Sequence, residues 1–249
     1  MRRPVMAGNW KMYKTPAETT AFFEKFRPLV ENSEHCETVI CPPFTDLAAA
    51  VDAVRGSRIQ VGAQNIAWAK EGAFTGEISG AMIRAAGAAY AIVGHSERRQ
   101  YFGETDETVF KRTLAALEAG LTPIVCVGER LDEREKGITK TVLVSQFTKG
   151  IADLTPEQFA RIVIAYEPVW AIGTGKTATP EMAAEAHRMI RGQVWAKYGS
   201  EAVAAIRILY GGSVKPDNVK TLMAQTEIDG VLVGGASLDP VGFASIVNF

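Results

Sequence analysis

The sequence predicts an α/β protein whose eight parallel strands, each followed by helical chain, close into a (β/α)8 barrel. Three observations point there. Short apolar, β-branched runs alternate with longer stretches of helical spacing, the pattern of βα units around a parallel sheet. The 249 residues match the roughly 250 that such a barrel occupies as one domain. Polar and glycine-rich residues follow many of the runs, as in a barrel whose loops converge at one mouth. An open doubly wound sheet obeys the same right-handed crossover rule, but its glycine-rich turn belongs after the first strand.

The runs are Val5–Gly8, Thr38–Cys41, Ile59–Ala63, Tyr90–Val93, Pro123–Val127, Arg161–Ala165, Ile206–Leu209 and Gly230–Val233, each bounded by Gly, Pro, Asn or Ser. After the first, Thr15-Pro16-Ala17-Glu18 has the capping-box spacing with proline at the first helical position, and Phe22, Phe26 and Leu29 are expected to line the buried face. Thr155-Pro156-Glu157-Gln158 repeats the capping logic. Thr179-Pro180 opens a long helix expected to run to about Lys197. Between the third and fourth runs, Gln64 to Ser79 lacks helical period yet contains Trp68 and Phe74. Long loops of this kind are usually functional or disordered, and its apolar residues, poorly placed in solvent, suit an interface. No polar linker interrupts the chain, so residues 1–249 are expected to form one domain.

Composition excludes several classes. With 47% hydrophobic residues, 22% charged and a formal net charge of −1, the chain can bury a large core and has no bias toward nucleic acid or acidic membranes. Cys36, Cys41 and Cys126 are odd in number and form no C-x-x-C pair, which argues against a disulfide framework or a zinc site and fits a cytoplasmic protein. The apolar stretch after Arg2 and Arg3 is too short for a signal sequence, and Arg84 breaks the most apolar segment. His35 and His187 are expected at the surface, and no H-x-x-x-H spacing offers a metal site.

Chemistry-bearing residues stand after the strands. Asn9-Trp10-Lys11 follows the first run, Gly94-His95-Ser96-Glu97-Arg98-Arg99 the fourth, Tyr166-Glu167-Pro168 the sixth, Gly211-Gly212-Ser213 the seventh and Gly234-Gly235 the eighth. At one rim, a cation, an imidazole, a carboxylate and two glycine-rich turns supply acid–base chemistry beside a phosphate. Glycine turns suit phosphate because a backbone without Cβ can approach closely and aim its N–H donors. Gly175-Lys176-Thr177 resembles the end of a Walker A loop, but Trp170 stands where its leading glycine belongs. Pro168–Lys176 reads better as a mobile lid: proline stiffens one end, glycines loosen the middle, and Val169, Trp170 and Ile172 can exclude water.

The string Ala165-Tyr166-Glu167-Pro168-Val169-Trp170-Ala171-Ile172-Gly173-Thr174-Gly175-Lys176 closely resembles the catalytic-loop signature of the triosephosphate isomerase family. Gly8-Asn9-Trp10-Lys11-Met12, Val93–Arg99 and Tyr210-Gly211-Gly212-Ser213-Val214 resemble its other fingerprints, in order along essentially the whole chain. Tyr13 stands where that family more often has Asn, and by this reading carries no chemistry.

The resemblance implies the TIM-barrel fold and the interconversion of dihydroxyacetone phosphate and glyceraldehyde 3-phosphate through an enediol-type intermediate, with no cofactor and no metal. It implies Glu167 as the base, His95 as donor to the substrate oxygens and Lys11 as the cation, with Asn9 orienting the substrate and Glu97 holding the lysine. The account of such a histidine as a neutral imidazole belongs to this same family. Gly173, Ser213, Gly234 and Gly235 would grip the phosphate through backbone N–H groups, and Thr75 would reach the Asn9 and Lys11 of a second subunit in a homodimer. Two rivals remain: another phosphosugar barrel enzyme, such as a Schiff-base aldolase, or a noncatalytic phosphometabolite-binding protein.

Overall fold

The computed structural model describes residues 2–249. Its strands are β1 (Val5–Asn9), β2 (Glu37–Cys41), β3 (Gln60–Ala63), β4 (Tyr90–Val93), β5 (Thr122–Val127), β6 (Val163–Tyr166), β7 (Ile208–Tyr210) and β8 (Gly230–Val233). They pair in parallel in sequence order, and β8 pairs with β1 to close the barrel. Every expected run contains a strand. The sixth and seventh start later than expected because Ile162 N–H still donates to Phe159 and Ile206 N–H to Ala202, so each run begins inside the preceding helical turn.

Successive strand residues face opposite sides. Val5, Ala7, Val39, Cys41, Ile92, Ile124, Cys126, Ala165 and Leu209 fill the barrel, while Met6, Ile40, Ala91, Val125 and Ile164 pack outward with the helical layer. Both faces are dry, so the strands read as unbroken apolar runs.

The outer layer comprises α1 (Pro16–Val30), α2 (Leu47–Val54), α3 (Gly80–Ala85), α4 (Ser96–Tyr101), α5 (Asp106–Glu118), α6 (Leu131–Glu135), α7 (Thr139–Gly150), α8 (Pro156–Phe159), α9 (Pro180–Ala205), α10 (Val219–Met223) and α11 (Pro240–Val247). Helix α1 begins with the expected capping box: Thr15 accepts from Glu18 N–H, and the Glu18 carboxylate accepts from Thr15 N–H at 2.8 Å. Its buried stripe holds Phe22, Phe23, Phe26 and Val30, each phenylalanine contributing about 1.5–3 kcal/mol. Leu29, expected on that face, is 43% exposed because the stripe is centred between Phe22 and Phe23 and leaves it at the margin. Within α9, Gly199 has φ +82°, which breaks the helix just beyond the expected Lys197. Residues 64–79 form neither helix nor strand, and the rings of Trp68 and Phe74 meet there at 5.8 Å.

At the N-terminal ends of the strands, Asp229 is 5% exposed and salt-bridged to Arg191 and to Arg2, and it accepts Ile208 N–H at 2.8 Å. His187 is fully buried, against expectation. Its Nδ1 bonds the Glu227 carbonyl at 3.0 Å and its ring meets the edge of Tyr166, so α9 turns it inward. Burial outweighs the Glu227 bond and pushes its pKa down to about 3. Cys36, Cys41 and Cys126 are free and buried. Among the described residues, no helix is long and apolar enough to cross a membrane.

Candidate active site

The loops leaving the C-terminal strand ends enclose a cavity of about 340 Å³. Asn9, Lys11, His95, Glu167, Gly173, Ser213, Gly234 and Gly235 all line it, so residues spread over most of the chain meet in one place. A larger cavity of about 490 Å³ lies between α1 and the chain before β2 and β3. It is at the opposite end of the barrel from these residues, whereas active sites of such barrels form at the C-terminal face.

Glu167 directly follows β6 and is 2% exposed. One carboxylate oxygen accepts Ser96 N–H at 2.9 Å, and the other lies 2.9 Å from His95 Nε2. Ser96 opens α4, where the backbone N–H groups have no helical partner and the helix dipole favours an anion. Glu167 needs two glycines beside it, one against its backbone and one against its side chain. A Cβ at Gly128 would meet the Glu167 carbonyl at 1.7 Å, and one at Gly211 would meet Glu167 Cγ at 3.0 Å. Burial alone would raise the Glu167 pKa. The charge and hydrogen bond of His95, the Ser96 N–H and the charge of Lys11 together outweigh it and hold the carboxyl below its ordinary range.

His95 caps α4 and accepts Glu97 N–H at Nδ1, 3.2 Å away. That bond leaves the ring proton on Nε2, facing Glu167. Burial pulls the His95 pKa down, but the Glu167 charge and hydrogen bond and the Glu97 charge lift it above its ordinary value.

Lys11 has φ +53°, an uncommon backbone state for a residue with a side chain. Asn9 Oδ1 accepts its N–H at 3.0 Å, and Gln64 donates to its carbonyl at 2.8 Å. Its ammonium lies 2.5 Å from Glu97 Oε1. Both groups are partly exposed, so the pair aims the cation more than it stabilises the fold.

The segment after Glu167 is anchored at its base. Buried Glu129 accepts the Trp170 indole N–H at 2.9 Å and the Tyr166 hydroxyl at 3.1 Å and pairs with Arg134, whose guanidinium lies 5.0 Å from the Trp170 ring centroid. Gly173, at φ +68°, lies beyond this anchor and reaches the cavity. Thr75 lies in the exposed loop after β3. Among the described residues, no cluster of three or more His, Cys, Asp or Glu is arranged to hold a metal ion.

Sequence reasoning missed Ser96, which meets Glu167 chiefly through its backbone N–H and more distantly through its hydroxyl, and Glu129, whose partners lie 37 and 41 residues away. It also left Tyr13 outside the site, yet Tyr13 lines the cavity. A cue was available in its position two residues beyond Lys11.

A closed barrel whose C-terminal mouth joins a buried carboxylate and imidazole to an ammonium and a glycine-lined wall defines the chain as a barrel enzyme of acid–base chemistry on small phosphorylated molecules. The family profile described as triosephosphate isomerase matches residues 4–249. The chain is 78% identical to the triosephosphate isomerase of Solibacter usitatus, with all of both chains covered. It is 55% identical to that of Geotalea uraniireducens, covering 100% of this chain and 99% of the relative. The crystal structure of triosephosphate isomerase from Bartonella henselae superposes with a TM-score of 0.89 at 40% identity, covering 99% of this chain and 98% of that one. The chain belongs to the triosephosphate isomerase family and is, by that membership, an isomerase.

Proposed function

We propose that the chain, as one catalytic domain over residues 1–249, interconverts dihydroxyacetone phosphate and D-glyceraldehyde 3-phosphate through an enediol(ate), with Glu167 carrying the proton between adjacent carbons. The observation that carries this reading is the buried Glu167 carboxylate sharing a cavity with Lys11, His95 and the Gly234-Gly235 turn, neighbours that favour its charged form.

The bonds that hold Glu167 are exchangeable. A substrate carbonyl competes for His95 Nε2–H, and Glu167 then leaves Ser96 N–H to meet the carbon-bound proton. Its departure also removes the larger of the two charges that lift the His95 pKa, leaving Glu97 to raise it against burial and Lys11, which lower it. The imidazole therefore donates its Nε2 proton as a neutral acid to the oxygen where negative charge develops. Glu167 returns its proton to the neighbouring carbon, and the substrate oxygens exchange theirs through His95. Lys11 stabilises the anionic intermediate, and Asn9 orients it. The phosphate is held by backbone N–H groups of Gly173, Ser213, Gly234 and Gly235. Closure of the lid over Gly173 would exclude water.

Solvent tritium should enter dihydroxyacetone phosphate at the carbon that loses its proton; no incorporation by active protein would reject the base mechanism. Glu167→Asp, which withdraws the carboxylate by about 1 Å, should lower turnover on the order of 10²-fold.

Met12, Trp68, Phe74, Met82, Tyr101 and Phe102 are exposed apolar side chains on the connections after β1, β3 and β4. They support a homodimer in which Thr75 approaches the partner's site, and sedimentation of a fully active monomer would exclude it. Three free thiols fit a cytoplasmic setting.

A further inference from the structure

Tyr13 stands on the outer wall of the active-site cavity with Lys215 and Leu238, its side chain 58% exposed at the mouth. Its loop is tethered on both flanks. Before it, the buried Trp10 donates its indole N–H to the Ser237 carbonyl at 3.1 Å, and Lys11 is held by Asn9 and Gln64. After it, Lys14 has φ +75° and places its ammonium 5.2 Å from the ring centroids of both Trp10 and Phe22, and Thr15 caps α1. So short a span between fixed points cannot carry Tyr13 away from the mouth without releasing those contacts.

The same tethers join this loop to the segment after β8. The Trp10 bond reaches Ser237, and Lys11 lies so close to Gly234 that a Cβ there would meet Lys11 Cε at 3.3 Å. Tyr13, two residues further along, lines the same cavity as Gly234 and Gly235.

We propose that Tyr13 is a specificity-determining residue that limits how far a phosphorylated chain can extend past the Gly234-Gly235 turn, and so selects three-carbon phosphates over longer ones. This rests on the reading that Glu167 and His95 hold the reacting carbons while the glycine turns hold the phosphate. With the reacting carbons fixed, each added carbon pushes the phosphate out toward the phenol ring. The ring excludes by volume, and its hydroxyl is dispensable.

The test compares kcat/KM for the triose phosphate with that for a four-carbon aldose 4-phosphate in the full-length protein. Tyr13→Ala should lower the preference for the triose by about tenfold, the usual discrimination from one methylene, while Tyr13→Phe retains it. Calorimetry with phosphonocarboxylates of two, three and four carbons should show the longest gaining affinity relative to the shortest in Tyr13→Ala alone. Sedimentation of every variant separates this effect from altered assembly, since a change of association state without a change of preference would assign Tyr13 to an interface and overturn the proposal. An unchanged preference in Tyr13→Ala overturns it as well. If that variant does not fold, Tyr13→Trp should sharpen the preference, and no sharpening is equally fatal. Wild-type protein that binds none of the phosphonocarboxylates and turns over no triose phosphate would instead remove the underlying reading of the site.

Discussion

Each end of the barrel buries a carboxylate, and the two are held differently. At the N-terminal end, Asp229 is fastened by Arg191, Arg2 and the Ile208 N–H. At the C-terminal mouth, Glu167 is held by the His95 imidazole and by the N–H and, at 3.4 Å, the hydroxyl of Ser96, with no cation fastened to it. The histidines repeat the contrast. His187 is enclosed, and burial lowers its pKa; His95 is nearly as buried, but Glu167 raises its own. Burial alone therefore does not mark a functional group. What separates the two ends is whether the partner of a buried group can be exchanged.

The largest expected effect is at the mouth. Glu167→Gln keeps the shape and removes the base, and should cost on the order of 10³-fold in kcat, with the fold unchanged by circular dichroism. At the other end, Asp229→Ala leaves buried Arg191 with Glu227 as its remaining carboxylate partner and the Ile208 N–H without its acceptor, and should cost about 3 kcal/mol of stability in denaturant titration. Equal effects of both changes on kcat alone would erase the distinction between the ends.

His187 sharpens it further. Its folded pKa lies near 3, against an ordinary histidine value of 6.5. Between those values the unfolded chain binds the extra proton, so stability is full above pH 6.5 and falls as pH drops toward 3. The slope from this one group approaches 1.4 kcal/mol per pH unit. His187→Asn should flatten that limb of the stability profile, and an unchanged acid limb would contradict the assignment. The smallest effect is expected at Trp170→Phe, which removes the indole bond to Glu129. It should change kcat by about threefold to tenfold through the lid, with the triose KM as the companion readout.

The fold was legible because a strand buried on both faces must be apolar throughout, as Ile124–Val127 and Val163–Ala165 are. The site was legible where each chemical residue stands within two positions of the end of such a strand, as Lys11, His95, Glu167 and Gly234 do. Features that depend on distant partners were hidden. Nothing near Glu129 in sequence points to Trp170, and nothing near His187 points to Glu227 or to the ring of Tyr166. Leu29 failed for a smaller reason: a helical stripe fixes a face only to within its own width, and Phe23 drew the centre of the stripe away from it.

The enclosed thiols have a practical consequence. Cys41 and Cys126 point into the barrel, and burial raises the pKa of each, to about 12 for Cys41. A thiol-reactive dye cannot reach either sulfur until strands part, and the sulfur is protonated until then. The rate of labelling at these two positions, resolved from Cys36 by peptide mapping, is therefore a stopwatch for rare excursions in which the staves of the barrel separate.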